Sequence, residues 1–360
     1  MRAIVVGAGV FGASTARALA LRGWDVTLVE QYTPGTVRSA SGGDTRLLRM
    51  SHGGVDWYAE LAWRGRAGWL ALQEETGTRI WEPVGVAWFA HRADGFEARS
   101  RDALTRLGVR HEWLAPEDAR DLYPSVAVDD LAGVLLELDG GVLHARRATE
   151  LLVEDGLRHG VRLETGRSTP ADPPTADAVV WACGAWLPQL FPSVVDLTLS
   201  RRDVFFFGGD GAWRGRPGFC DYDASFYGHA EIGGLGVKVA PDLPGDSIDP
   251  DTLERLPLPS RAAEARAYAA RRFPGLAHAP IVGGRVCQYV LTADTHFLVA
   301  PHPEQPAWWL VGGGSGHGFK HGPAFGDYVA DCVEGLREPE PFHALGARSG
   351  DAGLRTGSIG

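Results

Sequence analysis

An apolar run at residues 3–6 breaks at Gly7-Ala8-Gly9-Val10-Phe11-Gly12. Apolar positions then recur at helical spacing through Ala13, Ala16, Leu19 and Ala20 until Gly23. This change of period predicts a strand, a tight turn and a helix. A second strand is predicted at residues 26–29, closed by Glu30. In such a unit the first glycine permits the turn, the second admits a pyrophosphate and the third lets helix pack on strand. The helix N-terminus stabilises phosphate charge, and an acid at the end of the second strand accepts ribose hydroxyls. The pattern predicts a dinucleotide site and leaves NAD and FAD open.

The following segment, Ser39-Ala40-Ser41-Gly42-Gly43-Asp44-Thr45-Arg46-Leu47-Leu48-Arg49, is small and polar and then basic. A helix rich in Trp and Leu is expected from about Val55. A nicotinamide enzyme of this fold would continue directly into a further strand–helix unit, so the segment tips the balance toward FAD. From about Ile80 the texture changes to short strand-like runs broken by turns, at 84–89 and 134–138, which indicates a separate, more antiparallel region. A helix at 146–159, a strand at 161–164 and a buried strand running into a glycine turn at 178–186 restore the α/β pattern. Residues 197–239 are again strand-rich, and a helix is expected at 261–272. Strands at 296–299 and 308–311 lead into Gly312-Gly313-Gly314-Ser315-Gly316-His317-Gly318-Phe319-Lys320 and a last helix at 323–335.

Composition narrows the function classes. The net charge of −10 argues against a nucleic-acid binder, which needs a basic face, but leaves room for a buried cation cluster that binds a small anion. No apolar stretch approaches the roughly 18 residues needed to span a bilayer, and the N-terminus lacks the form of a signal peptide. The expected compartment is the cytoplasm. Cys183, Cys220, Cys287 and Cys332 show neither a C-x-x-C pair nor metal-type spacing, so no metal site and no disulfide framework are expected.

Only two of the 35 basic residues are lysines, Lys238 and Lys320. A compact ammonium and a planar guanidinium serve different sites. Two lysines that persist among so many arginines are therefore candidates for positions where arginine does not serve.

Taken together, these segments resemble the sarcosine oxidase and N-methyltryptophan oxidase family of the glycine/D-amino-acid-oxidase-like flavoproteins. The resemblance runs from Arg2 to about Gly335. It is carried by the opening glycine turn, Gly43-Asp44-Thr45-Arg46-Leu47-Leu48-Arg49, the 180–186 strand and turn, and Tyr227 followed by Gly236-Val237-Lys238. The segments 285–289 and Ser315-Gly316-His317-Gly318-Phe319-Lys320 complete it. It implies an α/β fold with a Rossmann-type FAD-binding domain, residues 1–79, 146–192 and 285–343. An α+β substrate domain on a mostly antiparallel sheet, residues 80–145 and 193–284, is interleaved with it. Residues 344–360 are expected to form a mobile tail.

The resemblance also implies site residues. FAD would be held by Gly7, Gly9, Val10, Phe11, Gly12 and Glu30, by Gly43, Asp44, Thr45 and Arg46, and by Cys183, Gly184 and Trp186. The glycine-rich segment adds Gly314, Gly316, His317, Gly318, Phe319 and Lys320. Cys287 resembles the cysteine bonded covalently to the flavin, and Lys238 the lysine beside the ring where oxygen is activated. Lys320 and Arg49 would bind the substrate carboxylate, with Tyr227 and Tyr289 walling the cavity. The implied activity is oxidation of a secondary or cyclic amino acid to an imine with O2 reduced to H2O2, by a monomer or small homo-oligomer. A flavin dehydrogenase with another electron acceptor, and an oxidase of an amino-acid-derived intermediate of secondary metabolism, are the alternatives.

Two positions depart from the sarcosine-oxidising pattern. A histidine four residues after the oxygen-activating lysine is here Asp242, and a histidine next to the Gly-Asp-Thr-Arg run is here Gly42. The first change alters the polarity of the substrate cavity and favours a larger or cyclic imino acid over sarcosine.

Overall fold

The computed structural model describes residues 1–243, 245–350 and Leu354. The strand Arg2–Val6, the helix Val10–Leu21 and the strand Asp25–Glu30 form where the apolar pattern requires them. Gly7 has φ +103°, and a Cβ there would stand 2.5 Å from the Ala182 carbonyl oxygen. A Cβ on Gly12 would stand 1.9 Å from the Gly7 oxygen. Both positions therefore exclude any larger residue.

A six-stranded sheet is ordered Leu298–His302, Gln305–Gly312, Ala178–Trp181, Arg2–Val6, Asp25–Glu30, Arg162–Thr165. Its strands are parallel except for the first, which pairs antiparallel with Gln305–Gly312. The helices Val10–Leu21, Asp56–Thr76, Ala145–Arg158 and Gly322–Val333 share its apolar core with Trp69, Phe297, Phe325 and Tyr328. An eight-stranded sheet follows the order Ile281–Leu291, Thr198–Phe207, Val237–Pro241, Phe226–His229, Gly218–Asp221, Val86–Ala90, Gly133–Glu137, His111–Leu114. All its pairings are antiparallel except that of Gly218–Asp221 with Val86–Ala90. The Rossmann-type unit interleaved with a mostly antiparallel sheet is thus the architecture of the chain. A small sheet of Thr45–Leu48, Gly141–His144 and Trp81–Glu82 completes it.

Three details differ from the sequence reading. Residues 285–291 lie inside the antiparallel strand Ile281–Leu291, although the boundary expected at 285 put them with the FAD-binding segments. The helix Phe96–Leu107, capped by Gly108 at φ +69°, lies in a stretch read as strands and turns. Its buried face is sparse in apolar residues, with Ser100 and Glu97 buried beside Phe96, Ala103 and Leu104, so its period is faint in sequence. The described part of the expected tail also makes contacts with the body of the chain. Arg348 donates to Asp294 Oδ1 at 3.2 Å and to the Phe297 carbonyl at 3.1 Å, and Leu354 is fully buried. Residues 351–353 and 355–360 lie outside the described residues.

Candidate active site

Parallel pairing sets three turns side by side. Val6 is opposite Trp181, and Val180 is opposite Trp309, so residues 7–12, 182–186 and 313–320 leave the carboxyl ends of adjacent strands together. Crevices at such strand ends are where open α/β sheets bind ligands. A cleft of about 1780 Å3, open mouth included, runs from Glu30 over Gly7, Gly9, Val10 and Phe11 to Lys320. It thus joins the glycine turn and Glu30 to Arg49 and Lys320 in one cavity.

The near end of the cleft suits the nucleotide half. Gly9 caps the helix Val10–Leu21 and brings no side-chain acceptor to its first N–H groups, which leaves a donor-rich, positively polarised end for a pyrophosphate. Glu30 is anchored by the N–H groups of Ala8 at 2.7 Å and Tyr32 at 2.9 Å. Ser41 Oγ accepts from Val10 N–H at 2.9 Å, tying the small polar segment to the helix start. Cys183, Gly184 and Trp186 line this region, and burial pushes the Cys183 thiol well up, so it is an apolar filler rather than a nucleophile.

The far end is rich in cations. Arg46 donates to the carbonyls of Thr45 at 2.7 Å and Ala40 at 2.6 Å, and its guanidinium lies 5.9 Å from the Phe319 ring centroid. Burial opposes its charge, but Cys287, Tyr227 and Tyr289 outweigh burial and hold its pKa above the ordinary value. Lys238, 3% exposed, points inward with Nζ 3.4 Å from the Thr45 carbonyl and 5.1 Å from the Tyr227 centroid. Burial, and then Arg46, lower its pKa to about 7.

Lys320, also 3% exposed, donates from Nζ to the His317 carbonyl at 2.6 Å; burial and then Arg49 hold its pKa well below the usual lysine range. Arg49 stacks its guanidinium 4.8 Å from the Trp88 centroid and donates to the Ser51 carbonyl. The loop that carries Arg49 is tied down by Glu137. This fully buried carboxylate accepts from Met50 N–H at 2.7 Å, Ser51 N–H at 3.1 Å and Trp88 Nε1 at 2.8 Å.

The cleft brings together most of the sequence candidates: Gly7, Gly9, Val10, Phe11, Glu30, Arg46, Arg49, Cys183, Gly184, Trp186, Tyr227, Tyr289, Gly314, Gly316, His317, Gly318, Phe319 and Lys320 all line it. Lys238 and Cys287 lie just behind its wall. Cys287 is within electrostatic reach of Arg46, Lys238, Arg255 and Arg285. Gly12, Gly43, Asp44 and Thr45 do not line it. Asp44 is instead an ion-pair partner of Arg285 at 2.7 Å, Thr45 Oγ1 bonds His229 at 2.8 Å, and Gly43 leaves space for the Arg46 guanidinium. The sequence reading did not assign Ser41, Trp88, Tyr222, Cys220 and Gln288, which also line the cleft. Trp88 and Cys220 sit on strands whose apolar residues read as core, and only the cleft distinguishes them.

His52, His317 and His321 bring ring nitrogens within 4.8 Å of one another behind Lys320. Burial, then Lys320, hold His52 and His321 well below the ordinary histidine range. All three rings pack against Tyr58, and those of His317 and His321 also against Phe297.

A glycine turn at the head of a Rossmann unit, opening onto a cation-lined cavity against an antiparallel sheet, defines a dinucleotide-dependent oxidoreductase fold. The chain belongs to the FAD dependent oxidoreductase (DAO) family, whose model matches residues 2–332. It is 29% identical to a monomeric sarcosine oxidase of Bacillus sp. (strain B-0618), over 92% of this chain and 91% of that enzyme. It is 23% identical to an N-methyl-L-tryptophan oxidase of Yersinia pestis (strain Pestoides F), over 95% and 97%. L-proline dehydrogenase from P. horikoshii shares the fold, with a TM-score of 0.82 at 19% identity over 94% of this chain and 95% of that one. The protein is an FAD-dependent oxidoreductase of the sarcosine oxidase-like type, acting on CH–NH bonds. No helix among the described residues is long and apolar enough to cross a membrane.

Proposed function

We propose that this enzyme oxidises a secondary or cyclic amino acid at a carbon next to nitrogen, giving an imine, and that O2 is reduced to H2O2. The carrying observation is the buried Lys320 beside the half-buried Arg49, both lining the cleft. A carboxylate placed between them favours the ammonium form of Lys320 and is gripped by both side chains with fixed orientation. FAD, when bound, accepts a hydride equivalent from the carbon and delivers the electrons to dioxygen.

The chain's own residues do the rest. The glycine turn and Glu30 hold the nucleotide half, and Arg46 and Phe319 lie where the cleft passes toward the substrate end. Arg49 and Lys320 grip the carboxylate, while Tyr227 and Tyr289, with hydroxyls 3.4 Å apart, wall the cavity and exclude water. Lys238, kept as a cation by protonation, stabilises negative charge developing on dioxygen. Cys287, among four cations, is in the kind of surroundings that reactive cysteines have and is proposed as the point of covalent flavin attachment. One C–H and one N–H bond break, the C=N bond forms, and two electrons and two protons leave in H2O2.

An anaerobic screen of N-methyl and cyclic amino acids, in both stereochemical forms, tests the reading. Loss of flavin colour followed by peroxide on admitting air is expected. Bleaching without peroxide would assign electron transfer to another acceptor, and no bleaching by any amine bearing a carboxylate would refute the amine reading.

A further inference from the structure

Asp242 follows the strand Val237–Pro241, lines the cleft and is 6% exposed. Its N–H donates to the Ser225 carbonyl at 2.7 Å, which fixes the loop against the hairpin that also carries Tyr227. Behind it stands Arg202 from the strand Thr198–Phe207. Arg202 Nε is 3.9 Å from Asp242 Oδ1, and its guanidinium carbon is 4.7 Å from the Tyr289 centroid. Arg202 Nη1 also donates to Ser200 Oγ at 2.5 Å and to the Arg201 carbonyl at 2.7 Å. The arginine is thus held by its own contacts on the far side of the cavity wall. A carboxylate offers about four lone-pair sites, and Asp242 is on the lining of the cleft.

The charge of Asp242 acts inside the cavity. Burial pushes the Tyr227 phenol up to about 12, with Asp242 as the next cause. Burial likewise pushes the Cys220 thiol up to about 12, and there Arg49 and Lys320 act in the opposite sense to Asp242. Cys220 lines the cleft within electrostatic reach of Arg49 and Lys320 on the cationic side and of Glu137 and Asp242 on the anionic side. The sarcosine-oxidising pattern has a histidine at this position, which can donate a hydrogen bond; a carboxylate only accepts.

We infer that Asp242 recognises the substrate side chain and selects a carboxylate-bearing amine that carries a second, protonated nitrogen. This rests on the amine-oxidising reading above. The carboxylate fixes one end of the molecule at Arg49 and Lys320, the reacting amine lies between, and the side-chain ammonium donates to Asp242. A hydrocarbon side chain beside Asp242 would desolvate the carboxylate without replacing its hydrogen bonds, whereas an ammonium satisfies it.

The test compares ligands of matched length on the holoenzyme. Calorimetric binding of straight-chain ω-amino carboxylates is set against that of fatty carboxylates, which share the carboxylate grip and lack the ammonium. The best ω-amino ligand is expected to bind at least about tenfold more tightly than its hydrocarbon match, in line with sites built to satisfy a polar partner. Asp242→Asn is expected to erase that difference while leaving fatty carboxylates within about twofold. Catalysis gives the parallel result, with kcat/KM for Nα-methylornithine above that for Nα-methylnorleucine in the wild type. If Asp242→Asn does not take up flavin, the wild-type rankings decide alone. Equal or inverted rankings overturn the inference while leaving amine oxidation intact. Failure of every carboxylate to bind and of every amine to bleach the flavin overturns both.

Discussion

Lys238 Nζ lies 5.1 Å from the centroid of Tyr227, a ring that itself walls the cleft, so the buried lysine stands behind that aromatic face and does not line the cavity itself. With its pKa lowered to about 7 by burial and then by Arg46, it changes charge near neutrality.

Lys238→Met is expected to slow reoxidation of the reduced enzyme by O2 by about 100-fold, the scale of removing one preorganised charge-stabilising donor. Anaerobic reduction by the amine should change little. Since the ammonium is the effective form, wild-type reoxidation should fall as pH rises through about 7, and the variant should lose that dependence. Rapid-mixing measurements of the two half-reactions check both points, and equal slowing of both would remove the role assigned here.

Lys320 has its pKa held well below the lysine range by burial and then by Arg49. A substrate carboxylate placed beside it favours the ammonium, so at a pH above the Lys320 pKa of the free enzyme binding is expected to take up a proton. Calorimetry of a carboxylate inhibitor in buffers of different ionisation enthalpy reads this directly. Lys320→Met should abolish the uptake and weaken the inhibitor by roughly tenfold or more, on the scale of a lost charge-assisted hydrogen bond. Binding without proton exchange in the wild type would count against it.

Glu137 accepts from two backbone N–H groups and the Trp88 indole while fully buried. Glu137→Ala strands three donors and is expected to destabilise the protein by roughly 3 kcal/mol or more. Because these donors fix the loop that carries Arg49, KM should rise as well. Denaturant unfolding and steady-state kinetics measure the two effects, and a variant as stable as wild type would contradict the assignment.

Cys287→Ala is expected to leave flavin that washes out on acid precipitation, whereas the wild-type pellet stays yellow. A yellow pellet from the variant would move the attachment elsewhere.

Local rules were enough to read much of this protein. The turn at Gly7, Gly9 and Gly12 and the acid at Glu30 are legible because strand, turn and helix chemistry acts between near neighbours. The two lysines could be singled out because the chain otherwise uses arginine, and both prove to be buried and turned inward. Other features depended on contacts between distant segments. Asp44 reads as part of a cofactor motif, yet its partner is Arg285, which only pairing through the large sheet brings near. Trp88 and Cys220 look like core residues until parallel pairing of their strands faces them onto a cavity. That Asp242 shares one cleft with Arg49 and Lys320 is likewise a product of the tertiary structure. Hydrophobic period and turn chemistry are set over a few residues, so sequence alone determined most of the elements and the glycine turn that opens the cleft. Burial, charge pairing and the polarity of the substrate end are long-range quantities, and the tertiary structure decided them.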